Sequence, residues 1–471
     1  MITKIEIDGF KTFSTFEMEF APLTVIAGTN ASGKSNLFDA LHLLSRLAET
    51  ELRQAFREQR GEAIEQFTQY APGQIAEQMT FAVEMLVDKR VRDNWGAEAT
   101  LKYTRLRYEL MLRREQNQKG IDDLKVAYEH LRRIPTGDDL WMRQHVDKAY
   151  VESRRPKVVT GKRSKAYIQT DTHENGTVTI KLPQDGKAGG RETPANVVSQ
   201  TVLSGINSVD FPHVYAAKEE MRSWRFLRLN PEQLRKPSEY LAPTRIAPDG
   251  RHLAAALHRI EQEDAYLLRM ISRRLNELLP NLTEVRVIDD PATQRYLITL
   301  LGIDGRTFSS RVLSEGTLRL LVLCVLLYDP AYHGLTCFEE PENGVHPLRL
   351  RTTVQLLKDL SVDFSEPDDP LRQVIVNTHS PVLLGALRSD REETHDDRKV
   401  RVWFSKLVTR VQGHGPNRRI KFQTTKALPV QLTGQTMIPH DDFTNEQRLA
   451  LAEAIRYLQS VDTENISPQP A

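Results

Sequence analysis

The chain opens with alternating apolar and polar positions, the pattern of strands that bury one face. The apolar positions of the first two runs are Ile5, Ile7, Phe16, Met18 and Phe20. Asp8-Gly9 lies between these runs and supplies turn residues. The apolar run 23–27 follows directly. The pattern predicts two short antiparallel strands and then a third, buried strand.

Helical spacing of leucines begins after this third strand, at Leu37, Leu41, Leu44 and Leu47. A longer segment with the same spacing runs from Arg251 to Leu279 and meets Pro280, which predicts one long helix with a proline stop. At the end of the chain, Thr444 and Gln447 fit a capping box and predict a last helix.

The remaining segments suggest how the chain is divided. Alternation over 80–112 predicts further strands, as does the segment 285–301, whereas 114–200 is polar and contains a predicted helix near 121–133. We expect an N-terminal part of the main domain at 1–112, an inserted polar and basic subdomain at 113–240, a C-terminal part at 241–390 and an extension at 391–471.

Composition narrows the class of protein. The chain has 471 residues, of which 39% are hydrophobic and 27% charged, and its formal net charge is +1. The apolar run around 318–328 is shorter than the ~18 residues that span a bilayer, so a membrane-embedded protein is not expected. Two cysteines cannot build a disulfide framework, and the N-terminus lacks the plan of a secretion signal, so we expect a cytoplasmic protein.

The segment Gly28 to Ser35 matches G-x-x-x-x-G-K-[ST] between the predicted third strand and the first helix. In this motif the glycines allow backbone N–H groups to surround phosphates, Lys34 reaches the β and γ oxygens, and the Ser35 hydroxyl binds Mg²⁺. The alternative is a chance glycine turn, but the flanking strand and helix favour a nucleotide site.

A second segment, 335–342, is an apolar strand that ends in acids at its carboxyl end, where α/β sheets place their ligands. One carboxylate there can hold the Mg²⁺ shell and the next can orient the attacking water. Taken alone, such a strand followed by acids is more often a solvated loop.

Two further segments carry candidate chemistry. Val312 to Arg319 places Ser314 and Gly316 at the start of an apolar helix, which is either an anion site or an ordinary N-cap serine. The β-branched strand at 374–381 delivers His379 at its end, where a lone histidine is usually structural.

In this order the four segments resemble the ABC-type ATPase head shared by SMC, RecF and OLD-like proteins, often catalogued as AAA-type predicted ATPases. The opening segment 5–11 also looks like the first strand of that head, and the resemblance covers 1–112 and 240–385. It implies an α/β P-loop NTPase fold, a mixed sheet flanked by helices, with an inserted α+β subdomain.

The resemblance also implies a site for ATP and Mg²⁺. It gives catalytic roles to Glu340, which would orient the water, and to His379, the switch histidine; the D-loop would be 343–347. Mg²⁺ would be held by Ser35 and Glu339. The residues that it assigns to the nucleotide are Gly28, Asn30, Ser32, Gly33, Lys34, Ser35 and Asn36, with Ser314 and Gly316 contributed by a second copy of the chain.

The sequence departs from the family pattern at two positions. Glu339 stands where most of the superfamily has aspartate. In the segment 313–316, which the resemblance identifies as the signature, Glu315 replaces a glycine, so that its side chain must point away from the phosphates or the site is slow. The glutamine that usually senses the metal is not placed by the sequence, and Gln66 and Gln69 are both candidates.

The resemblance points to several partners and excludes others. Heptads and a C-x-x-C pair are lacking, which excludes a long coiled coil and a zinc hook, and the tail lacks the Asp-x-Asp pair of a Toprim nuclease. We expect a homodimer or higher homo-oligomer formed through the heads, with a separately encoded nuclease or toxin as effector. Nucleic acid is a further candidate partner, because 154–165 carries six basic residues and no acid. A solvated loop fits this segment equally well. The six basic residues are Arg154, Arg155, Lys157, Lys162, Arg163 and Lys165.

Three functions remain open at this point. The first is an ATPase that gates a partner effector in a bacterial anti-phage defence module, and the second is a RecF-like DNA repair and recombination ATPase. The third is a scaffold that binds nucleotide without hydrolysing it. DNA-stimulated turnover would favour repair, whereas turnover altered only by a partner protein would favour the defence module.

Overall fold

The computed structural model describes residues 1–116, 122–154, 166–174, 177–183, 190–195, 199–387, 396–413 and 419–430. The strands are β1 (Ile2–Asp8), β2 (Phe16–Glu19), β3 (Leu23–Ala27), β4 (Gln69–Ala71), β5 (Gln74–Ile75), β6 (Gln78–Leu86), β7 (Arg90–Arg92), β8 (Glu98–Thr100), β9 (Arg105–Gln116), β10 (Asp122–Arg133), β11 (Gln169–Thr172), β12 (Val178–Pro183), β13 (Gly190–Pro194), β14 (Arg225–Leu227), β15 (Ser238–Glu239), β16 (Leu282–Asp290), β17 (Arg295–Gly302), β18 (Thr307–Ser309), β19 (Gly334–Glu339), β20 (Arg372–Thr378), β21 (Val400–Gly413) and β22 (Arg419–Val430). The helices are α1 (Lys34–Leu47), α2 (Leu52–Arg57), α3 (Leu140–His145), α4 (Lys148–Arg154), α5 (Pro212–Arg222), α6 (Pro231–Leu234), α7 (Leu253–Glu263), α8 (Ala265–Leu278), α9 (Glu315–Tyr328), α10 (Leu350–Asp359), α11 (Pro381–Leu387) and α12 (Asp396–Lys399).

A six-stranded sheet in the order β14-β19-β20-β3-β21-β22 forms the centre of the fold. Its first five strands are mutually parallel, and β22 pairs antiparallel with β21. Both faces are buried, and successive residues of β3 and β20 alternate between two hydrophobic clusters. Such strands read as continuous apolar runs, which is how 23–27 and 374–376 read in the sequence.

The parallel order brings the carboxyl ends of β3, β19 and β20 to one edge of the sheet. In the register, Ala27 lies beside Thr378, and Asn377 lies beside Glu339. The loops that leave these three strands therefore meet at this edge, which is where α/β sheets bind ligands.

A second sheet, in the antiparallel order β10-β9-β6-β1-β2, covers α1. The apolar faces of β1 and β6 share one cluster with the leucines of α1. The opposite face of the central sheet packs against the helices α7 to α11, including the almost wholly buried α9. Smaller sheets are formed by β11-β12-β13, by β15-β17-β16 with β18, and by the pairs β4-β5 and β7-β8.

Two predicted helices differ from the structure: one is a strand and the other is divided into two helices. Residues 122–133 form β10, because Leu124, Val126 and Tyr128 recur with the period of a strand, and the segment pairs along its length with β9, with one register shift. The predicted helix 251–279 is two helices. Asp264 is extended, and its carboxylate accepts a hydrogen bond from the Tyr266 N–H, so it ends α7 and caps α8.

The four-part division of the chain stays a prediction. The part expected as an extension supplies β21 and β22 to the central sheet, and the part expected as an insertion supplies β10 and β14 to the two large sheets. The predicted helix around Thr444 and Gln447 lies outside the described residues. Within the described ranges, no helix is both long and apolar enough to cross a bilayer.

Candidate functional site

The glycine loop lies between β3 and α1, as predicted. Three of its residues have left-handed backbone: Gly28 (φ 151°), Ala31 (φ 62°) and Gly33 (φ 91°). Gly33 is also the N-cap of α1, so the free N–H groups of the first helical turn open into the loop. A curled backbone at a helix N-terminus is the geometry that binds phosphate.

Lys34 lies across this loop and is buried. Its Nζ donates hydrogen bonds to the carbonyl oxygens of Gly28 at 2.7 Å and Thr29 at 2.8 Å. Burial lowers the pKa of Lys34, while the carboxylates of Glu340 and Glu342 act in the opposite direction. The ammonium group is therefore held at the centre of the loop by neutral acceptors.

Not all predicted loop residues face the same way. Asn30 is exposed, whereas Ser32 is buried and its carbonyl oxygen accepts a hydrogen bond from Ser405 Oγ at 2.9 Å. The side chain of Asn36 turns to Thr12, with Nδ2 donating to Thr12 Oγ1 at 2.8 Å. This hydrogen bond directs the Asn36 amide towards Thr12, and the predicted contact of Asn36 with a nucleotide stays a prediction.

Glu340 is the residue on which the other site residues converge. Its backbone is left-handed (φ 50°), and its N–H donates to the Asn377 carbonyl at 2.9 Å. One carboxylate oxygen lies 2.9 Å from His379 Nδ1, and the other accepts from Asn343 Nδ2 at 2.6 Å. The two predicted catalytic residues are thus in direct contact.

Glu339, the last residue of β19, is mostly buried and lies between two arginines. Its carboxylate oxygens lie 3.4 Å from Arg60 Nη2 and 3.5 Å from Arg228 Nε. Next to it, Asn377 reaches from β20 to the Ser35 hydroxyl at 3.5 Å. One asparagine thus neighbours both predicted metal ligands.

These residues fit a magnesium ion. A hydroxyl and a carboxylate are the hard oxygen donors that Mg²⁺ prefers, and few protein ligands are needed because the ion keeps waters and takes phosphate oxygens. The described part of the chain contains no cluster of three or more His, Cys, Asp or Glu side chains that could cage a metal. The Ser35 hydroxyl and the Glu339 carboxylate would leave the other positions around the ion to waters and phosphate oxygens.

Glu342 belongs to the site although the sequence analysis gave it no role. It is buried, its Oε1 accepts a hydrogen bond from Thr378 Oγ1, and its Oε2 has no hydrogen-bond partner among the described residues. Burial raises the pKa of this carboxyl, while the hydrogen bond from Thr378 acts in the opposite direction. Thr378 Oγ1 also accepts from the Ser380 N–H at 2.9 Å, so this contact holds the backbone on both sides of His379.

The signature segment forms a separate surface. Ser314 is exposed and is the N-cap of α9, accepting a hydrogen bond from the Thr317 N–H at 3.2 Å. Ser314 therefore has the geometry of an ordinary N-cap serine, which was one of the two interpretations of this segment. No hydrogen bond in the described structure joins Ser314 to the loop 28–35.

Glu315 points away from the helix N-terminus, as its position required. Its Oε1 accepts two hydrogen bonds from the buried Arg319, from Nε at 3.0 Å and from Nη2 at 2.8 Å. The same guanidinium donates to the carbonyl oxygen of Glu340 at 3.4 Å. A Cβ on Gly316 would lie 2.6 Å from the Gly344 carbonyl oxygen, so the glycine permits the 340–347 loop to approach the helix.

The sequence analysis gave no role to Arg319 or Asn377, and only weak signals mark them, whereas Asn343 was predicted as part of the D-loop. Asn377 ends a β-branched run just before His379, and Arg319 is an arginine among leucines in an apolar helix. A charge in such a helix signals a buried partner, but it does not identify Glu315 or Glu340 as that partner.

The two candidate glutamines differ in placement. Gln66 is fully buried, and its Nε2 donates to the carbonyl oxygens of Arg60 at 2.7 Å and Glu62 at 3.3 Å, so it anchors the 60–66 loop. Gln69 is exposed on β4. Which of them senses the metal stays a prediction.

The basic side chains of 154–165 lie outside the described residues.

Comparison with family models covers two separate parts of the chain. Residues 1–158 match a model described as "AAA ATPase domain". Residues 183–385 match one described as "AAA domain, putative AbiEii toxin, Type IV TA system". No curated protein matches the chain.

Several solved structures resemble the chain at low identity. The SMC head domain from Thermotoga maritima is 14% identical with a TM-score of 0.37, covering 91% of this chain and 99% of its own. An SMC head bound to the C-winged helix domain of ScpA is 14% identical with a TM-score of 0.46, covering 92% and 98%. RecF in complex with ATPrS is 13% identical with a TM-score of 0.32, covering 86% and 95%.

The fold and the glycine loop define a P-loop ATPase with an ABC-type head. The two family models, which together extend over most of the chain, identify the residues they match as AAA-type ATPase domains. The predicted recognition, fold class and enzyme class are confirmed.

Proposed function

We propose that this ATPase binds ATP and Mg²⁺ between two copies of its head, hydrolyses ATP slowly, and uses the cycle to gate a separately encoded effector. The observation that carries the proposal is the separation of the signature from the glycine loop. Ser314 presents the N-terminus of α9 at the surface, so it can meet a phosphate only across an interface with a second copy.

Exposed apolar residues beside the signature support such an interface. Val312 is 71% exposed and Leu348 is 85% exposed. Val312 precedes Ser314, and Leu348 follows the 340–347 loop, which packs on Gly316. Large apolar side chains at this exposure suit a surface that a second head covers.

Within the site, Lys34 and the N–H groups of the loop bind the phosphates, and Glu340 orients the attacking water. His379 and Asn343 hold the two oxygens of the Glu340 carboxylate, which fixes its direction. Ser35 and Glu339 would hold Mg²⁺, which when bound supplies positive charge to the phosphate oxygens.

The proposed setting is a cytoplasmic bacterial defence module. Its support is the family model over 183–385, whose description names a toxin of a type IV toxin–antitoxin system. A nuclease or toxin would then be the partner. Stimulation of turnover by DNA alone would favour the RecF-like alternative, and binding of ATP without any turnover would leave a scaffold.

Mixing two inactive variants tests the shared site. Lys34→Ala destroys the glycine loop but keeps the signature, and Ser314→Arg does the reverse. Each heterodimer then holds one complete site of two. When subunits exchange at random, about half of the dimers are mixed. Because each mixed dimer has one active site of two, ATPase activity should return to about a quarter of the wild-type value.

The control is Thr307→Arg, which adds the same charge at an exposed position of β18 and should leave activity unchanged. Mass photometry establishes that the variants pair. Two results would show that the site is not shared. In the first, mixed dimers form but stay inactive. In the second, the wild-type rate per protein does not change as the protein is diluted to a fully monomeric sample.

A further inference from the structure

The hairpin of β21 and β22 lies directly against the glycine loop. Strand β21 pairs in parallel with β3, and Phe404 lies beside Ala27, the last residue before the loop. The next residues of each strand also meet, since a Cβ on Gly28 would lie 2.4 Å from the Ser405 carbonyl oxygen. Gly28 therefore lacks a side chain partly because the hairpin occupies that space.

Thr425 on β22 makes the same kind of approach to the second glycine. A Cβ on Gly33 would lie 1.9 Å from Thr425 Oγ1. The Thr425 hydroxyl donates to the Ser32 carbonyl at 3.3 Å, and the Ser405 hydroxyl donates to the same oxygen at 2.9 Å. Two hydroxyls from neighbouring strands thus converge on one carbonyl of the loop, and all three residues are buried.

Thr12 extends these contacts into a directed chain of hydrogen bonds. Asn36 Nδ2 donates to Thr12 Oγ1 at 2.8 Å, and the hydroxyls of Thr12 and Thr425 lie 2.7 Å apart. Because Thr425 donates to Ser32, its oxygen is left to accept from Thr12. This series of hydrogen bonds therefore runs from Asn36 through Thr12 and Thr425 to Ser32. It links the residues that come before and after Gly33 in the sequence.

The held carbonyl determines where a phosphate-facing group points. The peptide between Ser32 and Gly33 is planar and trans, so its C=O and N–H point in opposite directions. Fixing the Ser32 oxygen towards the hairpin therefore directs the Gly33 N–H away from it. A peptide free to rotate would present this donor to a phosphate only part of the time.

We propose that Thr425 is a positioning residue for the phosphate loop, with Ser405 as its neighbour in the same role. The affinity for nucleoside triphosphate is thus set partly by the C-terminal hairpin. The inference rests on the proposed phosphate-binding role of the loop. The contact is built from side-chain hydroxyls, so exchange of one hydroxyl for a methyl group tests it without changing shape.

The experiment titrates a fluorescent ATP analogue against the full chain carrying Thr425→Val. We expect affinity to fall about five- to tenfold, the effect of a lost buried hydrogen bond. Turnover at saturating ATP should change less than KM, because Thr425 lies away from Glu340. Thr425→Ser keeps the hydroxyl and should bind like the wild type. Thr409→Val, at an exposed position of β21, is the matched control.

Three results would overturn the inference: wild-type affinity in Thr425→Val, equal losses in Thr425→Ser, or equal losses in Thr409→Val. Should Thr425→Val not fold, Ser405→Ala removes the other hydroxyl and is judged by the same criteria. Lys34→Ala separates this inference from the proposed function. If Lys34→Ala binds ATP normally, the loop is not the nucleotide site, whatever Thr425 does.

Discussion

Replacing Arg319 by methionine should slow ATP hydrolysis without weakening ATP binding. Methionine keeps the length and the apolar stem of the buried arginine but removes its guanidinium. Three contacts are lost: the pair of hydrogen bonds to Glu315, the bond to the Leu229 carbonyl at 3.3 Å, and the bond to the Glu340 carbonyl at 3.4 Å. The last of these contacts touches Glu340, the proposed catalytic residue.

The size of the effect follows from the backbone of Glu340. Its φ of 50° is a conformation that costs a residue other than glycine about 1–3 kcal/mol. A hydrogen bond to its carbonyl offsets about 1 kcal/mol of that cost. Losing the bond lowers the population of the competent conformation about fivefold, so kcat should fall about five- to tenfold.

The assay is steady-state ATPase kinetics together with equilibrium binding of ATP. Binding should match the wild type, because the phosphate loop does not contact Arg319. The control is Arg311→Met, which removes an exposed arginine just before the signature. Unchanged kcat in a folded Arg319→Met protein would refute the coupling, as would a parallel loss of ATP affinity.

Two further variants test the site and the fold. Glu340→Gln removes the base but keeps the shape, so hydrolysis should fall by ~10²-fold or more while ATP stays bound in trapped dimers; if Glu339→Gln gives the trapped state instead, the two roles are exchanged. Glu129, whose pKa is raised to about 7 by burial, binds its proton more tightly in the folded chain than in the unfolded one, where the pKa is near 4.5. The free energy of unfolding should therefore fall by about 3 kcal/mol, relative to that of Glu129→Gln, as the pH rises from 4.5 to 7. Above pH 7 it should level off. Urea unfolding across this range measures the difference, and a difference that is independent of pH would contradict the assignment.

The central sheet and its loops were predictable because their signals are local. A strand, a glycine loop and a helix follow one another at 23–47, and the apolar runs before Glu339 and His379 are continuous because both faces of those strands are buried. The carboxyl-end rule then places the loops at one edge of the sheet. The predictions based on these runs required no knowledge of which strands pair.

The helix predicted near 121–133 failed because strand pairing outweighed helix propensity. Strand β10 contains good helix formers such as Leu124 and Lys125, but its apolar residues recur with the period of a strand and the segment pairs with the preceding strand β9. The contact of the Asn36 side chain with Thr12 joins residues 24 apart and could not be predicted from the local sequence, while the role of Asn36 at the nucleotide stays a prediction.

Glu340 joins three segments that are far apart in the sequence, and this has a consequence for the rate of hydrolysis. Its left-handed backbone is held by the Asn377 carbonyl from β20 and by Arg319 from the signature helix, while His379 and Asn343 fix its carboxylate. A few contacts of about 1 kcal/mol each balance a conformational cost of about 1–3 kcal/mol. The competent geometry is therefore only marginally favoured. Displacement of the signature helix or of His379 is sufficient to lose it, so the gating cycle proposed above predicts slow hydrolysis until nucleotide and a second head hold both segments in place.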